Sequence, residues 1–143
     1  MKETVLITGA SGLIATHIVK LLSDSYEVKL LTRNPSEANE YKWDLGKKYI
    51  DDKALENIDY IIHTAGAKLN DGTPLTPERQ KLIWDTRIGA SDFLLEKLQE
   101  SGRKLKAFVS ASALGYYSFA DNKIALDEDS QMGTAFEAVL SEG

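Results

Sequence analysis

The stretch Thr8-Gly9-Ala10-Ser11-Gly12-Leu13-Ile14-Ala15 constrains this chain more than any other. It joins a short apolar, β-branched run, TVLITG at 4–9, to an amphipathic segment, so the backbone must leave a buried strand, turn tightly and enter a helix. Gly9 permits the turn and Gly12 lets the backbone approach a ligand, while the free N–H groups at the head of the helix favour an anion such as a pyrophosphate. The third position of such a turn sets how closely helix and strand pack. Ala15 adds one methyl group there, which that role tolerates. The helix is expected to bury a stripe of Ile14, Ile18, Leu21 and Leu22, with Thr16, His17 and Lys20 facing away.

A second strand at 26–34 ends at Asn34-Pro35 and completes a right-handed βαβ unit in about thirty residues. The alternation continues with a weaker third strand at 40–45, a short helix at 51–57, a fourth strand at 58–66 and a loop at 67–76. Thr76-Pro77 caps a long helix that runs to about Glu100 and buries Ile83, Ala90, Leu94 and Leu98. Ser101-Gly102 closes that helix, 105–112 forms a fifth strand, and 133–140 begins another helix. Five parallel strands with intervening helices predict an α/β fold, a Rossmann-like doubly wound parallel sheet. Its length of 143 residues suits a single domain, 1–143.

Function classes fall away on composition. A net charge of −5 without clustered Lys and Arg argues against a nucleic-acid surface. The absence of Cys excludes disulfides, thiolate metal sites and a cysteine nucleophile, and no metal site is expected. No apolar run approaches the length of a membrane span, and the chain reads as cytoplasmic.

At the strand ends the residues become specific. A dinucleotide turn of the NAD type carries an acid about 20 positions on, at the end of the second strand, to hold the ribose 2′-OH. Here that end is Thr32-Arg33-Asn34, and Arg33 would attract a 2′-phosphate, which selects NADP over NAD; the alternative is a solvated arginine. Asp44, ending the third strand, is a candidate for the adenine amino group or a plain turn carboxylate. Arg87 shares the buried stripe of the long helix and points either toward a cofactor or substrate carboxylate or into a buried ion pair.

With TGASGLIA, HTAGA and SASALGYY at the ends of strands one, four and five, the chain resembles the extended short-chain dehydrogenase/reductases, the NAD-dependent epimerase/dehydratase family. LTRNP and RQKLIWDTRIGASDFLL bring it nearest to an epimerase-like, NADP-type subfamily. The resemblance implies an N-terminal portion of a longer protein, truncated before a C-terminal substrate domain. It places Gly9, Ser11, Gly12, Leu13 and Ile14 on the pyrophosphate turn and Arg33 at the 2′-phosphate. His63, Ala65 and Gly66 match a loop on the cofactor's ribose side, and Ser110, a further cofactor candidate, ends strand five at the carboxyl edge where open α/β sheets bind ligands. Ser112 matches a catalytic serine that hydrogen-bonds the substrate oxygen, and Tyr116 and Tyr117 match a tyrosine bordering the substrate pocket.

Two positions depart from the family. The Tyr-x-x-x-Lys pair that handles the proton is absent, because the segment after Ser112 reads GTAFEAVLSEG and no lysine follows Lys123. The asparagine position of the long helix holds Thr86. The resemblance therefore implies an NADP-dependent oxidoreductase or epimerase, with Ser112 orienting the substrate oxygen, the proton passed by another group such as Tyr116, Tyr117, His63 or water, a nucleotide sugar as candidate substrate and a homodimer as candidate assembly. The alternative is a catalytically degenerate module that senses NADPH.

Overall fold

In the computed structural model, residues 1–117 and 125–142 are described. The chain divides into two compact units, Met1–Ser110 and Ala111–Gly143. The first holds one sheet of β1 (Thr4–Thr8), β2 (Glu27–Thr32), β3 (Glu40–Asp44), β4 (Tyr49–Ile50), β5 (Tyr60–His63) and β6 (Ala107–Ser110), in the order β4-β3-β2-β1-β5-β6. All neighbours run parallel except β3 and β4, which form an antiparallel pair of two residues each. The expected strand four is β5 and the expected strand five is β6. The short β4 had no sequence periodicity to betray it.

Because side chains alternate across a strand, β1 feeds two cores. Leu6, with Leu31, Trp43 and Ile61, packs against α2 (Asp52–Leu55) and α3 (Pro77–Ser101); in α3, Ile83, Ala90, Leu94 and Leu98 are buried as the spacing predicts, and Phe93 is buried with them. On the other face Val5, Ile7 and Val28 pack against α1 (Leu13–Leu22).

The phase of α1 differs from the expected stripe. Ala15 is fully buried, with Ile18, Val19 and Leu22 against the sheet, whereas Ile14 is 60% and Leu21 78% exposed. The tight turn decides this. It brings the third position of the motif directly over the sheet, and the i, i+3, i+4, i+7 series counted from Ala15 follows.

Lys29 is a buried cation within β2. Its Nζ donates to the carbonyls of Lys53 and Glu56, both at 2.8 Å, and lies 5.2 Å from the Tyr41 ring centroid. It thus satisfies carbonyls at the end of the four-residue α2, and burial lowers its pKa.

The second unit contains a 3₁₀ turn over Leu114–Tyr117 and α4 (Phe136–Glu142). Tyr116 and Tyr117 pack edge to face at 5.0 Å, and the Gly133 N–H donates to the Tyr116 carbonyl at 2.8 Å.

Candidate functional site

The strand order places a topological switch point at β1. Its chain neighbour β2 lies on one side and β5 on the other, so the connections that leave the carboxyl ends of β1 and β5 diverge and leave a crevice between them. Both walls of that crevice are built by small residues. Gly9 adopts φ +74°, and a Cβ there would stand 3.0 Å from the Ala65 nitrogen and 3.1 Å from the Ala65 Cα, so only glycine lets the two connections meet. The turn is closed by Gly12 N–H donating to Gly9 C=O at 2.8 Å.

Gly12 is the N-cap of α1 and offers no side-chain acceptor. The opening N–H groups of α1 therefore have neither a capping side chain nor an intrahelical partner, and Ser11, Gly12, Leu13 and Ile14 around them are exposed. A dipole-favoured, uncapped helix head beside a crevice fits a pyrophosphate.

One hydroxyl organises the opposite wall. Thr8 Oγ1, fully buried at the end of β1, accepts the N–H groups of Thr64 and Ala65, both at 3.1 Å, so its own proton goes to His63 Nδ1 at 2.8 Å. That fixes the neutral tautomer of His63 with hydrogen on Nε2, a buried atom that has no hydrogen-bond partner among the described residues. Burial pushes the His63 pKa below its ordinary value; the Arg87 backbone pulls the other way and the Arg87 charge lowers it again. Thr64 Oγ1 returns a bond to the Thr8 carbonyl at 2.7 Å.

From behind, α3 grips the same loop. Thr86 Oγ1 accepts the Ala67 N–H at 2.9 Å, and Arg87 Nη2 donates to the Ala67 carbonyl at 3.1 Å. The Arg87 stem lies so close across Gly66 that a Cβ there would meet its Cγ at 2.7 Å. Of the two expectations for Arg87, the ion pair is not what forms, since no carboxylate pairs with it among the described residues. Further along the loop Arg79, in the first turn of α3, holds Asp71, Thr73 Oγ1 and the carbonyls of Lys68 and Leu69. This arginine keeps the Asp71 carboxyl far below the usual range.

Along the carboxyl edge of the sheet the other candidates follow in strand order. Arg33 is exposed just beyond β2 and has no ion-pair partner among the described residues. Asp44 ends β3, where its Oδ1 accepts the Lys47 N–H at 3.2 Å and lines an open cavity of about 310 Å³ with Lys42, Lys47 and Tyr49. Ser110 ends β6 in register with His63 and is exposed. The second unit carries Ser112, also exposed, and Tyr116 and Tyr117 on the 3₁₀ turn. Phe136 opens α4, where the family pattern would set a proton-handling helix.

Sequence reasoning passed over Thr8 and assigned Thr86 no contact. A threonine at the buried end of a strand beside a glycine turn was the available signal for the first.

An open parallel sheet with a glycine turn and an uncapped helix head at its switch point defines a Rossmann-like protein. Residues 5–135 match the model of the NAD dependent epimerase/dehydratase family, and the chain belongs to that family. It is 30% identical over 141 residues to an epimerase family protein of Mycobacterium leprae, covering 97% of this chain and 45% of that protein. Its fold matches a nucleoside-diphosphate sugar epimerase from Corynebacterium glutamicum with a TM-score of 0.80 at 27% identity, over 99% of this chain and 29% of the other. A human epimerase family protein with NADPH matches with a TM-score of 0.78 at 24% identity, over 96% of this chain and 45% of the other. The chain thus spans less than half the length of these proteins.

Proposed function

We propose that this chain is the NADP(H)-binding portion of an oxidoreductase or epimerase of the extended short-chain dehydrogenase/reductase type, acting in the cytoplasm on a small molecule such as a nucleotide sugar. One observation carries the reading: an uncapped helix head following the Gly9–Gly12 turn lies one strand away from an exposed Arg33 that has no ion-pair partner among the described residues, and no acid stands at the end of β2. The backbone N–H groups of Ser11, Leu13 and Ile14 take the pyrophosphate, with Gly12, whose own N–H closes the turn on Gly9, letting it approach; Arg33 takes the 2′-phosphate, and Asp44 lies on the adenine side. Ala65 and Gly66 form the wall toward the ribose, with His63 behind them and Ser110 at the next strand end. The NADPH in the human neighbour and the nucleoside-diphosphate sugar named for the Corynebacterium neighbour support the choice of ligands.

When bound, the nicotinamide supplies hydride exchange. We assign the orienting of the substrate oxygen to Ser112 and keep Tyr116 as the candidate proton donor, because the segment after Ser112 offers no Tyr-x-x-x-Lys pair. That same absence favours a second reading, in which occupancy by NADPH is sensed rather than used.

Calorimetric titration of the folded chain with NADPH and NADH tests the binding half of the proposal. Preference for NADPH that collapses in Arg33→Ala, by about 1.5–3 kcal/mol for a lost charge-assisted pair, is the expected result. Equal affinity for both nucleotides in both proteins would refute the assignment of Arg33.

A further inference from the structure

The two halves of a dinucleotide lying across the switch point must part over opposite neighbours of β1. With the 2′-phosphate side over β2, where Arg33 stands, the nicotinamide side runs over β5 and meets the loop at 64–67. That loop leaves little of its backbone to itself. Its front, at Thr64 and Ala65, hangs on Thr8; its back, at Ala67, has both its N–H and its C=O taken by consecutive side chains of one helix, Thr86 and Arg87.

Neighbouring residues on a helix point about 100° apart, so two of them reach one peptide only where the loop is drawn across the helix surface. Gly66 makes that approach possible. Its missing Cβ is the space that the Arg87 stem fills. Thr86 is anchored in turn, since its hydroxyl donates back to the Leu82 carbonyl at 2.8 Å and so presents a lone pair to Ala67. The arginine has no acidic partner among the described residues, so its charge is not spent on an ion pair.

We infer that Thr86 and Arg87 are positioning residues that clamp the β5–α3 loop into the shape that receives the nicotinamide half of the dinucleotide. The inference rests on the NADP(H) reading above and deepens it. A loop held in its binding shape has less order to lose on binding, so the clamp acts on affinity without touching the nucleotide. It acts on the nicotinamide half, because the peptide it holds is Ala67, two residues beyond the Ala65 contact with the glycine turn, and Arg33 lies beyond β2.

The test uses two ligands. NADPH reaches both halves of the site, while adenosine 2′,5′-bisphosphate reaches only the adenosine half. In Thr86→Val and Arg87→Ala, affinity for NADPH is expected to fall about tenfold, the loss of one or two hydrogen bonds, with affinity for the bisphosphate unchanged. Thr86→Ser keeps the hydroxyl and is expected to bind both ligands as the parent does. Amide exchange gives a ligand-free reading: the Ala67 N–H should exchange faster in Thr86→Val and stay protected in Thr86→Ser. Equal weakening toward both ligands, no weakening toward NADPH, or unchanged exchange at Ala67 would each overturn the clamp. A parent chain that binds the bisphosphate and NADPH equally well would also overturn it. If the parent binds neither ligand, the dinucleotide reading falls, and the clamp with it.

Discussion

The two ends of the same sheet solve opposite problems. At the amino end the charged groups close on one another: Lys106 pairs with Glu3 and, at 2.8 Å, with Asp59, while Tyr60 donates to Glu3 at 3.0 Å. Asp59 Oδ2 also accepts the Thr4 N–H at 2.9 Å, so the carboxylate ties the start of β1 to the approach of β5. At the carboxyl end hydroxyls and peptides join the strand ends, and the one ion pair among the described residues there, Arg79 with Asp71, lies further out on the β5–α3 loop, where Arg87 also holds the Ala67 carbonyl. No ion pair there involves the glycine turn, Arg33, Asp44 or His63 among the described residues. Among the described residues the opening N–H groups of α1 have no capping side chain and the buried Nε2 of His63 has no hydrogen-bond partner. An end that has satisfied its own polar groups has nothing to offer a ligand, whereas an end built from glycine, threonine and unspent donors does.

The comparison breaks most visibly at Thr8. Thr8→Val keeps the shape of the side chain and deletes the hydroxyl, leaving the Thr64 and Ala65 N–H groups and His63 Nδ1 without their shared partner. Each buried polar group left unpaired costs about 1–3 kcal/mol, and relaxation of the loop recovers part of that, so a loss of about 2–4 kcal/mol in urea unfolding is expected. A loss below about 1 kcal/mol would mean that the hydroxyl is a bystander.

A smaller effect, but one with a sign, comes from His63. Its folded pKa lies below the unfolded value of about 6.5, because burial disfavours the cation and outweighs the opposing pull of the Arg87 backbone, while the Arg87 charge lowers it further. The unfolded chain therefore binds the proton first. Stability from this group is present above about pH 6.5 and is lost as pH falls toward the depressed folded value. Unfolding free energies of the parent and of His63→Gln, measured from pH 7.5 to 5, should converge as pH drops; taking the difference removes any contribution from His17. Carboxylates with lowered values, such as Glu40 and Glu78, act at more acidic pH and leave this window clear. Parallel curves would show that His63 titrates alike in both states.

How far the sequence carried each end is a matter of what repeats. β1, β5 and the buried face of α3 were legible because burial on both sides of a strand, or on one stripe of a helix, repeats over several residues. The Thr76 cap with Pro77 was legible because orphan N–H groups select those residue types, and Thr76 Oγ1 indeed accepts from Arg79 N–H at 3.3 Å. The phase of α1 was not, because Ile14 and Leu21 made the better apolar count while the turn geometry chose Ala15. The two-residue β4 and the buried Lys29 were equally silent, one too short to show a period and the other an exception to it. At the site, the glycine turn announces itself through missing side chains, whereas Thr8 and Thr86 act through single hydroxyls whose partners lie 56 and 19 residues away in the chain.

The smallest effect is expected at the amino end, from Lys106→Met. The lysine is half exposed, Glu3 nearly so and Asp59 partly, a setting in which water and salt screen most of the attraction. Its hydrogen bonds hold the carboxyls of Glu3 and Asp59 below their ordinary range, and theirs hold the lysine above its own. The carboxylates then stabilise the fold above the unfolded values near pH 4 and cease to do so as pH falls through their lower folded values. Replacing the lysine should therefore flatten the acid limb of the stability profile, shift the melting temperature less than Thr8→Val does, and leave NADPH affinity unchanged. The order of the two melting shifts is the measurement that matters. If Lys106→Met proved the more damaging, or if it weakened nucleotide binding, the two ends of the sheet would be one coupled system, and the division of labour between them would be wrong.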